Sequence, residues 1–412
     1  MPAAQAVAAR EVRERRRNVL LLYVLATLST TSNGSMTFVL PLNLDRLGHP
    51  LPLVGTVVAL IGLGSLLSRV SGGAWYRLVR ARWLTAASFA LMGCSTIALG
   101  LNDTVPFQAF FAGLHGFSFG LATTFMLALL IDIRPPEDSA ATTMSWYTSA
   151  IAAGYTLSAL LGAQSIERLG YGPAFFTSGL VALAAAVLTL RLRFPREAPT
   201  PAALDPRVTP RRVGRLRTVR SLPAGVWLGT LLGFYLTFIA DTYQTFYPIY
   251  AVGIGVSVGT IGLLKVVHSI ASTGVRFAGA GLFRIVPVAV VNHTMTIMMA
   301  LALLSVTFVT GDALLMVMFV ILGTCRGLLR VTSATMVAEE RGRPGVGAGL
   351  VSSIYNAGMD LADLLSPPLV GALAAVLTIP TTFMVVGIAL PVTYYAVWFA
   401  VQTGRRRSGV HA

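Results

Sequence analysis

The sequence predicts an all-α membrane protein of twelve transmembrane helices, arranged as two six-helix pseudo-repeats with both termini in the cytoplasm. Three observations predict it. The 412 residues are 55% hydrophobic and only 11% charged, where a soluble domain is about a quarter charged. Apolar runs of about 20 residues, enough to cross a hydrocarbon core of about 30 Å as a helix, recur along the whole chain. The second half also superposes on the first, without gaps, when slid by the interval that carries Pro41 onto Pro248.

The apolar runs fall in order at about 19 to 42, 53 to 75, 83 to 101, 106 to 131, 140 to 164, 173 to 191, 223 to 250, 258 to 282, 288 to 309, 313 to 338, 347 to 370 and 380 to 402. The same slide pairs Gly48 with Gly255, Gly55 with Gly262, Arg69 with Arg276, Gly72 with Gly279, Arg77 with Arg284, Gly116 with Gly323, Gly120 with Gly327 and Arg134 with Arg341. The residue types carry the inference, because glycine and proline mark bends and close approaches rather than generic hydrophobicity. Gly116-x-x-x-Gly120 and Gly323-x-x-x-Gly327 are small-residue patches suited to close helix contact in spans four and ten.

The organisation expected is a basic tail at 1–18, a first bundle at 19–191, a Pro- and Arg-rich linker at 192–222, a second bundle at 223–402 and a basic tail at 403–412. Arginines set the orientation. Arg10, Arg13, Arg15, Arg16 and Arg17 precede span one, Arg77, Arg80 and Arg82 lie between spans two and three, and Arg405, Arg406 and Arg407 end the chain. The opposite loops carry only Arg46 and Arg168. The excess of arginine on cytoplasmic loops places both termini and the linker inside. The net charge of +15 is therefore a topology signal and not a nucleic-acid footprint.

Other classes find little support. Cys94 and Cys325 fall in apolar segments with no pairing or metal spacing, and no Gly-rich phosphate loop or HExxH is present. No cofactor and no metal are expected. The basic N-terminus before a long apolar run reads as a retained first helix, since the run is too long for a signal peptide. GFSFG (116 to 120) matches G-x-S-x-G, but that motif needs a serine on a strand-to-helix turn, and Ser118 lies inside a helical span.

Two parallel six-helix halves joined by a basic linker resemble the major facilitator transporters. TFVLPLNLDRLG (37 to 48) looks like the first-span ending of the family's twelve-span drug/proton antiporters. GGAWYRLVRAR (72 to 82) resembles the family's loop signature G-x-x-x-D-R-x-G-R-R. Gly72, Arg77 and Arg80 match it, while Tyr76, Val79 and Ala81 depart. Its repeat GAGLFRIVPV (279 to 288) keeps Gly279 and Arg284, and GYTLSALLGA (154 to 163) is similar to G-x-x-x-G-P-x-x-G-G. The arginine that antiporters often carry in span four is absent. The resemblance implies secondary active transport by alternating access, with spans one, four, seven and ten lining a midplane cavity and the gating loops at the positions just named. It further implies a monomer in a prokaryotic inner membrane that exports a small amphipathic organic molecule by exchange for protons. Uptake by proton symport is the runner-up, and a transport-dead sensor or assembly factor on the same fold is the third reading. The partners implied are a small-molecule substrate, protons and membrane lipid.

The polar residues of the spans supply the site candidates. A charge near mid-bilayer costs roughly 2.5–3.5 kcal/mol on insertion scales, and spans seven to eleven hold Asp241, Lys265, His268, Arg276, Arg326, Arg330, Asp360 and Asp363. Lys265 is the chain's only lysine. Lys265, His268, Ser272 and Arg276 form one helical stripe, and Asn356, Asp360 and Asp363 another. Two clusters are expected: an outer one joining Asp241 to Lys265, and a central one joining Arg326 to Asp360 and Asp363. The functional reading is proton coupling, led by Asp241 with Lys265 as titratable partner; fixed ion pairs, a lysine snorkelling outward and a packing histidine are the structural alternatives. Substrate candidates are Asn33 and Ser35 in the polar run STTSNGS (29 to 35), His115, Asn356, and Tyr243, Gln244 and Tyr247 on span seven. The polar run reads either as a partly opened helix or as hydroxyls bonded back to their own carbonyls. The span-seven aromatics suit a ring or a cationic group, or form an interface belt.

Overall fold

A computed structural model describes residues 2–75, 78–133, 140–192, 222–309, 311–339 and 348–407. Arg77, Arg134, Arg341 and the linker residues 193–221 lie outside the described residues, as do the side-chain surroundings of Gly72, Gly279 and Arg284. Twelve helices are present among the described residues: α1 (Pro2–Arg46), α2 (Leu51–Trp75), α3 (Leu78–Leu99), α4 (Val105–Ile133), α5 (Ala140–Leu169), α6 (Tyr171–Thr189), α7 (Ala224–Gly253), α8 (Val258–Ile285), α9 (Val288–Ser305), α10 (Asp312–Glu339), α11 (Ala348–Leu377) and α12 (Ile379–Arg407). Each covers most of one predicted apolar run. Among the described residues, nine helices are long and apolar enough to cross a membrane. The other three carry polar stretches: the run 29–35 in α1, Arg80 and Arg82 in α3, and the Ser/Thr-rich start of α5. Helix α1 continues through the basic residues before the first span, and α12 through Arg405, Arg406 and Arg407.

The repeat read from sequence recurs in the packing. In the first half α1 packs on α5 and α6, α4 on α2 and α3, and α3 on α6. In the second, α7 packs on α11 and α12, α10 on α8 and α9, and α9 on α12, the same pairs displaced by six helices. The likeness reaches individual atoms. A Cβ on Gly116 would stand 2.0 Å from the Ile61 carbonyl oxygen, and one on its repeat-mate Gly323 would stand 2.3 Å from that of His268, the repeat-mate of Ile61. Gly48 and Gly255 both take positive φ, 78° and 88°, at the ends of α1 and α7, so the two turns share one left-handed geometry that glycine adopts without strain.

Gly116 therefore sets how closely α4 and α2 approach. Gly116→Val is expected to cost at least about 2 kcal/mol, because the obstruction is backbone and cannot swing aside. Thermal unfolding in detergent checks this, with Gly113→Ala as a nearly silent control, since its Cβ would meet nothing nearer than 3.8 Å.

The halves meet at two seams that the repeat exchanges, α2 against α11 and α5 against α8, with α1 against α7 between them. How the core divides shows where they meet. One continuous apolar core joins both halves on the side of the α1–α2 and α7–α8 turns, from Met36, Leu44 and Val54 to Phe246, Ile261 and Val370. On the side of the chain termini the core separates into one cluster around Leu22, Phe89 and Met126, wholly in the first half, and another around Val226, Val337 and Tyr355, wholly in the second. The halves are thus knitted together on the far side and separately packed on the terminal side. Exposed apolar side chains such as Phe110, Leu180 and Ile388 form the outer surface that a membrane helix turns to lipid.

Candidate functional site

Between the halves, at mid-length of the helices, polar side chains from both converge. Tyr155 of α5 locates the space. Its hydroxyl interacts with Asn33 of α1 and lies in the fields of Arg326, Asp363 and Arg69 from α10, α11 and α2. Although residues of four other helices reach it, Tyr155 is 41% exposed, so it faces a cleft that opens between the halves. Tyr155 is absent from the sequence candidates: its neighbours in GYTLSALLGA are glycines and small residues, and nothing in that pattern singles out a tyrosine.

On the first-half wall, His115 is fully buried, with Nδ1 2.7 Å from Thr96 Oγ1 and Nε2 3.1 Å from Asn33 Oδ1. Thr96 donates its own hydroxyl to the Met92 carbonyl, so one polar chain ties α1, α3 and α4 together. His115 thus positions Asn33. The opened-helix reading of the polar run is corrected, because α1 is continuous from Pro2 to Arg46. Thr30 and Thr31 donate at 2.8 Å to the carbonyls of Ala26 and Thr27, and their hydroxyls also lie near the α5 carbonyls of Ile151 and Gly154. Ser35 is buried against Ser178 of α6 at 2.7 Å, away from the cleft.

The second-half wall carries the charges. Arg326, at the middle of α10, is the hub: its field reaches Tyr155, Asp241, Tyr243, Lys265, His268 and Arg276. The carboxyls of Asp241 and Asp363 adjoin each other beside it. Asp241 Oδ2 is buried without a hydrogen-bond partner. Asp360 instead crosses to the other half and takes a 2.5 Å ion pair from Arg69 of α2.

The structure therefore sorts the charges differently from the two clusters expected. Asp241 joins the central group, Asp360 serves the seam, and Lys265 sits with Nζ 4.5 Å from the Phe38 ring centroid in a cation–π contact with α1. The physical reason is helix phase. Asp241 faces α11, whereas Lys265 lies on the face of α8 that meets the first half. His268 is buried and meets the Tyr243 hydroxyl at 2.5 Å. Tyr243 and Tyr247, expected in the cavity, are each 1% exposed and pack with Phe319 of α10. The aromatic lining is thus core in this conformation. Gln244 is partly buried, with Nε2 unpartnered, and Asn356 is exposed. Arg330 is exposed and donates to the Met359 sulfur, and Arg80 is exposed. Ser118 donates to the Leu114 carbonyl within α4, an ordinary helical serine. Among the described residues no cluster of His, Cys, Asp and Glu could hold a metal.

Two repeated six-helix halves, closed on one side around a polar midplane cleft, define a multi-pass membrane transporter fold. The chain belongs to the Major Facilitator Superfamily, whose family model matches residues 21–359. No curated protein matches the sequence. Among solved structures it is similar to the nucleoside transporter NupG, with a TM-score of 0.74 at 11% identity over 92% of this chain and 98% of that one. It is also similar to a bacterial homologue of the human lysosomal transporter Spinster, inward-facing and occupied, with a TM-score of 0.74 at 15% identity over 94% of this chain and 97% of that one. The family and these structures group the chain with transporters rather than enzymes.

Proposed function

We propose that the protein is a proton-coupled secondary transporter that moves a small amphipathic organic molecule by alternating access, working as a monomer in a prokaryotic inner membrane. The adjoining carboxyls of Asp241 and Asp363, with Arg326 beside them at the cleft, carry this reading. Such a pair can take up or release one proton as the cleft turns from one side to the other. With the termini cytoplasmic, the conformation described is open inward. The partners are substrate, protons and lipid, and the basic tails touch anionic headgroups.

Direction follows from the sign of the coupling. The worn antiporter motifs at 72–82 and 154–163 support export by exchange. The second reading, uptake by symport, is favoured by one observation: around the hub, Lys265, Arg276, Arg326 and Arg330 outnumber the three carboxyls near them, Asp241, Asp360 and Asp363. The test is purified protein in liposomes holding a pH-sensitive dye, challenged with cationic, neutral and anionic organic compounds. Compound-dependent proton movement is the expected result, and its direction separates exchange from symport. Transport of a compound with no proton movement would overturn the coupling.

A further inference from the structure

Three arginines on α8 and α10 have no role in the fold that accounts for them. Arg276 lies in the fields of Arg326 and Arg330, and Arg330 in that of Asp360, yet among the described residues none of the three is within 4.0 Å of a carboxylate. Arg276 donates only to Ser272 Oγ at 3.3 Å, and Arg330 only to the Met359 sulfur. Both are exposed, and they sit about one turn toward the terminal side from the level of Arg326. The repeat sharpens the point. Arg69, the repeat-mate of Arg276, pairs with Asp360 across the α2–α11 seam. At the matching place on α5 stands Ala153, so Arg276 has a seam position without its carboxylate. Guanidinium groups gathered in one cleft repel one another, an anion that joins them relieves that repulsion, and the planar fork of arginine suits carboxylate or phosphate oxygens.

We propose that the transported molecule carries an anionic group, a carboxylate or phosphate, held by Arg326 at mid-depth with Arg276 and Arg330 below it on the open side. This rests on the transporter reading and deepens it. The Asp241–Asp363 pair then competes with the substrate for Arg326. A proton on the pair frees the guanidinium, so anion and proton bind together, the sign required for symport. The other charged or titratable groups around the pair and Arg326 leave this sign unchanged: Asp360 is engaged by Arg69, His268 is held by the Tyr243 hydroxyl in the core, and Tyr155 and Tyr243 are phenols. Lys265 stands over Phe38 on the far side of Arg326 and adds to the positive field.

The test compares benzoate, phenyl phosphate, benzyl alcohol and benzyltrimethylammonium, matched in their ring and differing in charge, by calorimetric binding to the detergent-purified full chain. Expected is binding of one or both anions, weakened about tenfold or more in Arg326→Gln and in Arg276→Gln, and only partly restored in Arg326→Lys, which keeps the charge without the fork. Arg276 is exposed, so its variant keeps the assay readable where Arg326→Gln fails to fold. Failure of both anions to bind, or equal binding by the variants, overturns the proposal. Binding of benzyltrimethylammonium with proton release in liposomes would overturn the anionic assignment and leave proton-coupled transport standing. Anion binding without proton movement would keep this site and sink the coupling.

Discussion

Asp241→Asn is expected to abolish uphill transport while leaving exchange of substrate intact. The amide has the carboxyl's shape, so the packing of α7 against α11 survives, but it holds no exchangeable proton. One proton carried per cycle across a pH difference of one unit is worth about 1.4 kcal/mol, a tenfold concentration ratio. In liposomes the wild-type protein should reach about that ratio, and the variant should stop at equality. Counterflow from preloaded vesicles should continue in both, because it requires only that the loaded cleft reorient. Asp363→Asn should behave alike, since each carboxyl is the other's neighbour. Undiminished accumulation in Asp241→Asn would make this residue structural and move the coupling elsewhere.

The fold was legible because its signals are repeated and stereochemical. Twelve apolar runs gave twelve helices, and the slide pairing Gly116 with Gly323 placed both at the same backbone contact. The site was legible only by depth. Counting along the spans puts Arg326 and Asp363 near mid-helix but assigns Asp241 to the outer half with Lys265, and rotational phase between helices that are distant in sequence leaves no mark in one chain. Asp241 was therefore matched with Lys265, which instead covers Phe38. Asp360 and Asp363 share a stripe, yet one turns to Arg69 of the other half and the other to Asp241. The tyrosines of α7 misled for a related reason. A hydroxyl-bearing ring suits a cavity and a core equally, and Tyr243 satisfies its hydroxyl on His268 inside the core.

The double variant Gly55→Trp with Gly262→Trp is expected to hold the far side open and stop net transport. These glycines are repeat-mates, and they lie at the two seams between halves. A Cβ on Gly55 would stand 2.1 Å from the Pro367 carbonyl oxygen of α11, and one on Gly262 would stand 2.5 Å from Ala163 Cβ and 3.1 Å from the Ala159 carbonyl oxygen of α5. Gly116 makes an equally close contact inside one half, where the only relief is loss of packing. At the seams relief is available without unfolding, because each half also has a cluster of its own on the terminal side, so the two can part by opening the apolar core they share on the far side. Overpacking costs about 1–3 kcal/mol per site, so two together approach the roughly 5.5 kcal/mol that carries a two-state equilibrium from 1:99 to 99:1. Spin labels at Leu101 and Phe308, exposed far-side positions that are themselves repeat-mates, report the opening as a longer distance. They require a background in which Cys94 and Cys325 are replaced. An unchanged distance with a lowered unfolding temperature would mean that the seams belong to a rigid fold and do not move in transport.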